Sequence, residues 1–413
     1  MAALTWHKLL LIFRVIGPGL ITGFADNDAG GVATYSMSAA TYGHLVLITL
    51  IPITIVLMVS QEIGARITIA TGKGLSDLIR ERFGVRTAFI MFALLFIVNF
   101  GVILQNVSGL KSALELFHLD YRFFLPLIVL VLFLILLKGS FQKIQRFFFV
   151  LMFFYLTYLF SAIYAHPDWP AVLRAVVVPE RSFDLAFVFT AIAVLGTTVT
   201  AWGQFFISSY VKDKRISKRH LRYERWEIVS AALLSNLFTF FMMVAVTETL
   251  YRNGVPIEGA ADAAKAIAPF AGQLASVLFG VGLLIAALLG CTIVPLATSY
   301  AFVEFFGSEG SLDIVRFKQG KLFYTFFLVQ IVGGTALVML SRVSLFRITL
   351  YADFLNGLLL PFLFYFLYKL GNDEKIMEEN KNTPWQNFLL LACALAVCVG
   401  VLVSVGVNIR QLF

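Results

Sequence analysis

Two acidic residues, Asp26 and Asp28, fall inside the first long apolar stretch, in the run Gly19-Leu-Ile-Thr-Gly-Phe-Ala-Asp-Asn-Asp-Ala-Gly-Gly-Val-Ala-Thr34. A carboxylate at bilayer depth is costly and by default marks an ion or substrate path. Gly30 and Gly31 beside it hold a helix weakly. A helix opened at that depth survives only where its freed backbone lines a polar cavity or is buried in protein. A carboxylate among loose carbonyls outlines the shell of a hard cation. Asp28 is the expected ligand; the competing role is a carboxylate satisfied by helix N-terminal amides. Asp26, two residues away, is expected to point elsewhere, to solvent or to a structural partner.

A second punctured apolar run reads Ala191-Ile-Ala-Val-Leu-Gly-Thr-Thr-Val-Thr-Ala-Trp-Gly-Gln-Phe205, with Gly196 and Gly203 flanking Thr197–Trp202. Opened backbone there offers carbonyls, and the Thr197 and Thr200 hydroxyls add oxygens. Neither run has Met, Cys or His at its break, so nothing selects a soft metal. The alternative for each Thr is a bond back to its own helix. Further along, Asp353 and Asn356 stand three apart and can share a helix face lining an aqueous path; a solvent-facing helix end is the alternative. Glu62 and Arg66, four apart, suit an intrahelical pair, and Glu304 suits an interface. The five His are scattered, and no nucleophile–base pair or phosphate loop is visible. An enzyme is not expected, nor a bound cofactor.

The elements that must position these groups are membrane helices. Of 413 residues, 60% are hydrophobic and 14% charged, against about 25% charged in soluble domains. About eleven spans of the required ~20 residues are predicted, near 9–40, 45–69, 88–114, 122–138, 145–165, 183–211, 227–250, 272–304, 321–341, 346–369 and 386–408. The first and sixth are the interrupted ones. Interrupted segments in matching positions of two halves predict an all-α, LeuT-like 5+5 inverted repeat. The single transporter domain, 1–413, would divide into a first repeat (1–165), a second (183–370) and an additional helix (386–408). Thr71–Gly84 reads as an amphipathic connector with Leu75, Leu78, Ile79 and Phe83 on one face. The three Cys lie in apolar segments and imply no disulfides; no cleavable leader is expected. The +8 net charge collects in Lys73–Arg86, Lys138–Arg146, Lys212–Arg225, Arg316–Lys321 and Lys369–Lys381. The positive-inside rule then places the N-terminus in the cytoplasm and, with eleven spans, the C-terminus outside. Solvated loops account for that charge without nucleic acid. The expected setting is a monomer in the lipid bilayer of the cell membrane.

These fragments resemble the Nramp family of divalent-metal transporters. Gly17-Pro-Gly-Leu20 opens the first span as in that family. Asp28-Ala-Gly-Gly-Val-Ala-Thr34 is similar to its Asp-Pro-Gly-Asn-Trp-Ala-Thr, and Thr71-Gly-Lys-Gly through Arg82-Phe-Gly84 to its connector. Gly196-Thr-Thr-Val-Thr-Ala-Trp-Gly203 is similar to Gly-Ala-Thr-Val-Met-Pro-His-Asn. The resemblance implies a metal site of Asp28, Gly31 in place of the family's Asn, a backbone carbonyl at Thr197, and Thr200 in place of the soft Met. It places the family's acidic pair of span 3 on Val102 and Gln105. Loss of sulfur removes a bias toward transition metals. Gly31 is expected to leave a roomier cavity, which suits Mg²⁺, an ion that keeps several waters. These departures look like the Nramp-related magnesium transporters. The implied function is uptake of Mg²⁺ and Mn²⁺ by alternating access, without strict proton coupling, with Asp353 contributing to the path. The rivals are a proton-coupled Mn²⁺/Fe²⁺ carrier titrating at Asp26 or Asp353, an amino-acid carrier of the same architecture, and a membrane metal sensor.

Overall fold

A computed structural model describes residues 26–138, 156–179, 183–307, 320–341 and 344–410. The first half of span 1, the Gly17–Leu20 motif, the start of span 5 and most of two basic stretches (Lys138–Arg146, Arg316–Lys321) lie outside the described residues. Within them every regular element is helical and no strand occurs. That follows from the setting: in lipid the backbone must satisfy its own hydrogen bonds. The main helices are α1 (Ala29–Tyr42), α2 (Leu50–Thr71), α3 (Leu75–Phe83), α4 (Val85–Leu116), α5 (Tyr121–Lys138), α6 (Leu156–Tyr164), α7 (Leu185–Thr198), α8 (Ala201–Asp213), α9 (Leu221–Val246), α10 (Ala275–Phe305), α11 (Lys321–Leu340), α12 (Leu345–Gly371) and α13 (Pro384–Arg410).

Eight described stretches are long and apolar enough to cross a bilayer, and Tyr121–Leu137 is a shorter apolar helix. Ala29–Thr71 and Leu185–Asp213 each contain two helices rather than one. The molecule is therefore a multi-pass membrane protein. Its outer faces carry exposed Phe89, Ile97, Leu134, Val329 and Leu402, the apolar side chains that lipid solvates.

The half-helix α1 is the hub. It packs against α4, α7, α9, α10 and α12, and its residues are almost all buried. Close approach around it depends on small residues, as in other membrane bundles. A side chain at Gly196 of α7 would overlap the Asp353 carbonyl and come 2.5 Å from the Gly357 amide of α12. Gly196 is thus a packing glycine, and the interruption of span 6 lies beyond it, at Val199 and Thr200. There the backbone leaves the helix (Val199 φ −101°, ψ 72°) and becomes extended at Thr200 (φ −73°, ψ 141°). The first interruption ends the same way, with Asp28 extended (φ −68°, ψ −175°).

The connector behaves as its pattern predicts. Leu75, Leu78 and Ile79 of α3 are buried, Gly84 takes φ 87° after it, and Asp77 pairs with Lys212 at 2.6 Å. Lys212 also lies 3.5 Å from Glu304, tying the ends of α8 and α10 to α3. The Glu62–Arg66 pair forms at 2.9 Å and is part of a larger network. Arg225 of α9 reaches Glu62 at 2.7 Å, Gln386 of α13 donates to Glu62 at 2.8 Å, and Arg66 donates to Asn382 at 3.0 Å. Helices α2, α9 and the start of α13 are thereby laced together.

Candidate metal site

The two interruptions meet. Each begins a half-helix with a residue whose side chain accepts from the amide three residues on, the N-cap arrangement. Asp28 Oδ1 accepts from Gly31 N at 2.9 Å, and Thr200 Oγ1 accepts from Gly203 N at 3.1 Å. In each, the next free amide is taken by an Asn from another helix. Ala29 N donates to Asn106 Oδ1 of α4, and Ala201 N to Asn356 Oδ1 of α12, both at 3.1 Å. These freed amides at the half-helix starts are therefore satisfied by protein groups, as burial at bilayer depth requires.

Asn106 does more. Its Nδ2 donates to Asp28 Oδ2 at 2.6 Å, so both Asp28 oxygens are engaged. The amide fits because α10 has glycine opposite it: a Cβ at Gly290 would overlap Asn106 Oδ1 and lie 2.5 Å from Nδ2. Asp28 thus has the helix-terminus role foreseen as the alternative to ion binding. The two roles are compatible, because an ionised carboxylate offers about four lone-pair sites.

Between the two acids, Asn27 is pinned to α9. Its Nδ2 donates to Ser235 Oγ at 2.7 Å and its Oδ1 accepts from Thr239 at 3.1 Å. Of the two expectations for Asp26, solvent or a structural partner, solvent is excluded by its burial. Asp26 is 1% exposed, and the Thr200 hydroxyl points to its Oδ1 at 3.4 Å, across the two breaks. Tyr35 of α1 and Thr198 of α7 share a 2.8 Å hydroxyl bond beside them.

Asp353 is buried, not at a wet helix end. Thr34 donates to its Oδ2 and Gln105 Nε2 to its Oδ1 at 3.0 Å. The Thr197 hydroxyl lies close to the same carboxylate. Gln105 also donates to Thr349 Oγ1 at 3.0 Å, and Thr349 donates to the Gly30 carbonyl at 3.1 Å, which joins this group to the first break. Val102 is buried as an apolar residue, so α4 presents an amide here and no acid.

Of the five expected site residues, Asp28 and Thr200 stand at the two half-helix starts, and Thr197 and Asp353 form a neighbouring group. Gly31 contributes its amide but no side-chain oxygen. The room expected above it is filled: a Cβ there would overlap the Asp26 carbonyl and sit 3.4 Å from the Tyr35 ring. The sequence assigns no role to Asn27, Asn106, Thr34 or Thr349; it singles out Asn356, but as a path-lining neighbour of Asp353 rather than as the acceptor for the Ala201 amide. The available signal was an amide or hydroxyl in mid-span of an apolar helix. Among the described residues no three His, Cys, Asp or Glu side chains converge as a metal cage. An ion here would be held by one or two carboxylates with hydroxyl, carbonyl and water oxygens.

Residues 19–406 match the family model described as natural resistance-associated macrophage protein-like (Nramp). A divalent metal cation transporter of Ralstonia nicotianae is 25% identical over 97% of this chain and 90% of its own length. Another, of Bacillus subtilis, is 23% identical over 73% of each chain. Among solved structures, the manganese transporter of Eremococcus coleocola superposes with a TM-score of 0.77 at 17% identity, covering 95% of this chain and 86% of that one. A nucleobase-cation-symport-1 family transporter gives 0.61 at 16% identity, covering 96% and 92%. The fold is the LeuT-like one that the two interruptions predict.

Proposed function

Since this chain belongs to the Nramp family, whose members similar to it are transporters and not enzymes, we propose that it carries Mg²⁺, with Mn²⁺ as a second substrate, without a strictly coupled proton. The broader statement is a divalent metal cation transporter in the membrane. The observation carrying the finer one is the donor set where the breaks meet. Asp28, Asp26, Thr200 and nearby Thr197 are all oxygen donors, and hard oxygen donors suit Mg²⁺ better than they suit Fe²⁺. Asp353 shapes the path from the side.

Gln105 bears on coupling. Its amide is fixed on Asp353 and Thr349, and it cannot take up a proton. Transport then needs only the ion gradient and the potential. An inward 100 mV contributes about 2.3 kcal/mol per elementary charge, so about twice that for a divalent ion. In this reading residues 1–165 and 183–370 are the two repeats that rock about the site, with 386–408 added. The chain works as a monomer in the cell membrane, with its N-terminus inside and its C-terminus outside, as the basic loops favour.

Flux into proteoliposomes tests this. Mg²⁺ uptake is expected, Asp28→Ala should abolish it, and the lumen should not acidify. Acidification in proportion to metal entry would refute the uncoupled mechanism. Asp353, a buried acid beside the first break, favours a second reading as a proton-coupled Mn²⁺/Fe²⁺ carrier. Failure of Mg²⁺ to compete with Mn²⁺ uptake would favour that one.

A further inference from the structure

Asp26 is the group that the capping scheme leaves over. Both oxygens of Asp28 are occupied by protein donors, Gly31 N and Asn106 Nδ2. Asp26 has one long hydroxyl contact, from Thr200 at 3.4 Å, and its Oδ2 has no hydrogen-bond partner among the described residues. It is nonetheless 1% exposed. A buried carboxylate without partners is strongly unfavourable, and it is retained only where something else compensates it. No Lys or Arg contacts it among the described ion pairs.

Charge balance points to the compensating group. A divalent ion meeting Asp28 alone keeps one uncompensated positive charge in a dry setting, and Asp28 already faces the positive end of α1. A second carboxylate completes the neutralisation. Mg²⁺ in proteins keeps several waters and is bound through one or two carboxylates, so a second carboxylate fits its usual shell.

The backbone supports the same conclusion. The Asp26 carbonyl lies where a side chain at position 31 would be. Gly31 therefore admits the segment that brings Asp26 to the second break. Thr200 both caps α8 and holds Asp26 Oδ1, leaving Oδ2 as the open coordination position.

We propose that Asp26 is the second carboxylate of the ion site, binding the transported divalent cation through Oδ2, directly or through one water, together with Asp28. Thr200 is then a positioning residue for Asp26. This rests on the reading that the ion binds where the breaks meet, and the variants separate the two.

Calorimetric titration of the purified full chain with Mg²⁺, repeated with Mn²⁺, is the test. Asp26→Asn keeps the shape and can still accept from Thr200, but it removes the charge. It should weaken both ions by about tenfold or more, as ligand charge count governs affinity in such sites. It should also abolish the Mg²⁺-induced rise in melting temperature while leaving the metal-free protein at least as stable as the parent. Asp28→Asn should lose binding as well. Binding by Asp26→Asn within about threefold of the parent, with Asp28→Asn defective, overturns the role of Asp26 and leaves the site standing. Full binding by both variants overturns the site and this role together. Should Asp26→Asn fail to fold, anomalous scattering from Mn²⁺ bound to the parent protein decides. Manganese touching Asp26 Oδ2, or one water from it, is expected; manganese farther away refutes the assignment.

Discussion

Gly290→Ala should disconnect Asp28 without altering any residue that touches it. The new methyl would overlap the Asn106 carboxamide, and the α4–α10 contact is among the most extensive in the fold, so the helices cannot separate cheaply. Asn106 must swing out. It then gives up a 2.6 Å bond to the Asp28 carboxylate and the bond from Ala29 N. A bond to a charged group contributes about 1.5–3 kcal/mol, and an orphaned buried amide costs about 1–3 kcal/mol. The sum is a loss of about 2.5–6 kcal/mol, read as a fall of several degrees in the melting temperature of the detergent-solubilised protein. Asn106→Ala should cost a similar amount. The decisive measurement is the double variant: with Asn106 already shortened, Gly290→Ala has nothing to displace and should add less than about 1 kcal/mol, the non-additivity expected of residues in contact. Additive losses would mean that glycine at 290 matters for helix packing alone. Mg²⁺ affinity should fall in parallel in both single variants, because both release the carboxylate from its fixed geometry.

Further outcomes follow from the same geometry. Thr200→Met supplies a thioether, so Mn²⁺ should gain on Mg²⁺ in competition flux; it also removes the α8 cap, at a cost of about 1 kcal/mol, visible in thermal melts. An unchanged metal ratio would remove sulfur chemistry from the account of selectivity. Cys291, buried beside Gly290 and near enough to Asp28 to feel its charge, is a thiol that could soften the site. If only oxygens hold the ion, Cys291→Ser leaves the Mg²⁺ to Mn²⁺ preference as it was. Gln105→Glu sets a carboxyl against Asp353 in place of the 3.0 Å amide bond, and two such groups must share a proton. Flux in this variant should fall more steeply than in the parent as pH rises, measurable in liposomes buffered from pH 6 to 8.

The architecture was legible because hydropathy sets it. Span positions follow from apolar length, and the second interruption falls within the predicted run, at Val199–Thr200. Gly196 was read only as flanking the interruption; its contact with α12 is a tertiary fact that its position in the sequence cannot reveal. The surroundings of Asp26 were equally hidden. Alternation along an open backbone says that residues 26 and 28 point apart, but not that Asn27 is held by Ser235 and Thr239, so that the outward direction leads to the second break. Gly31 was read as empty space because a missing side chain suggests a cavity; in the fold, backbone fills it. The roles of Asn106 and Asn356 were not foreseen, because each acts over a long sequence separation on an amide that is free only once a helix has been interrupted.

Those two Asn residues bear on how the site can bind an ion and still release it. A half-helix start carries about half a positive charge, and such an end repels a cation. By engaging Asp28 with the α1 amides and Asn106, the fold spends part of the carboxylate's field on its own backbone. The ion meets a weakened charge on that side. On the other side α7 ends at Thr198, and a helix C-terminus has the opposite polarity, with last carbonyls that lack intrahelical donors. Attraction is thus shared among carboxylates, a helix C-terminus and hydroxyls rather than concentrated in a cage. In the proposed mechanism an ion that keeps part of its water enters such a shell without full dehydration, and it leaves once rocking of the two proposed repeats moves Thr200 and α8 away from Asp26. The link most sensitive to that motion is the 3.4 Å contact between Thr200 and Asp26, the longest in the junction and the one that joins the two half-helix starts directly.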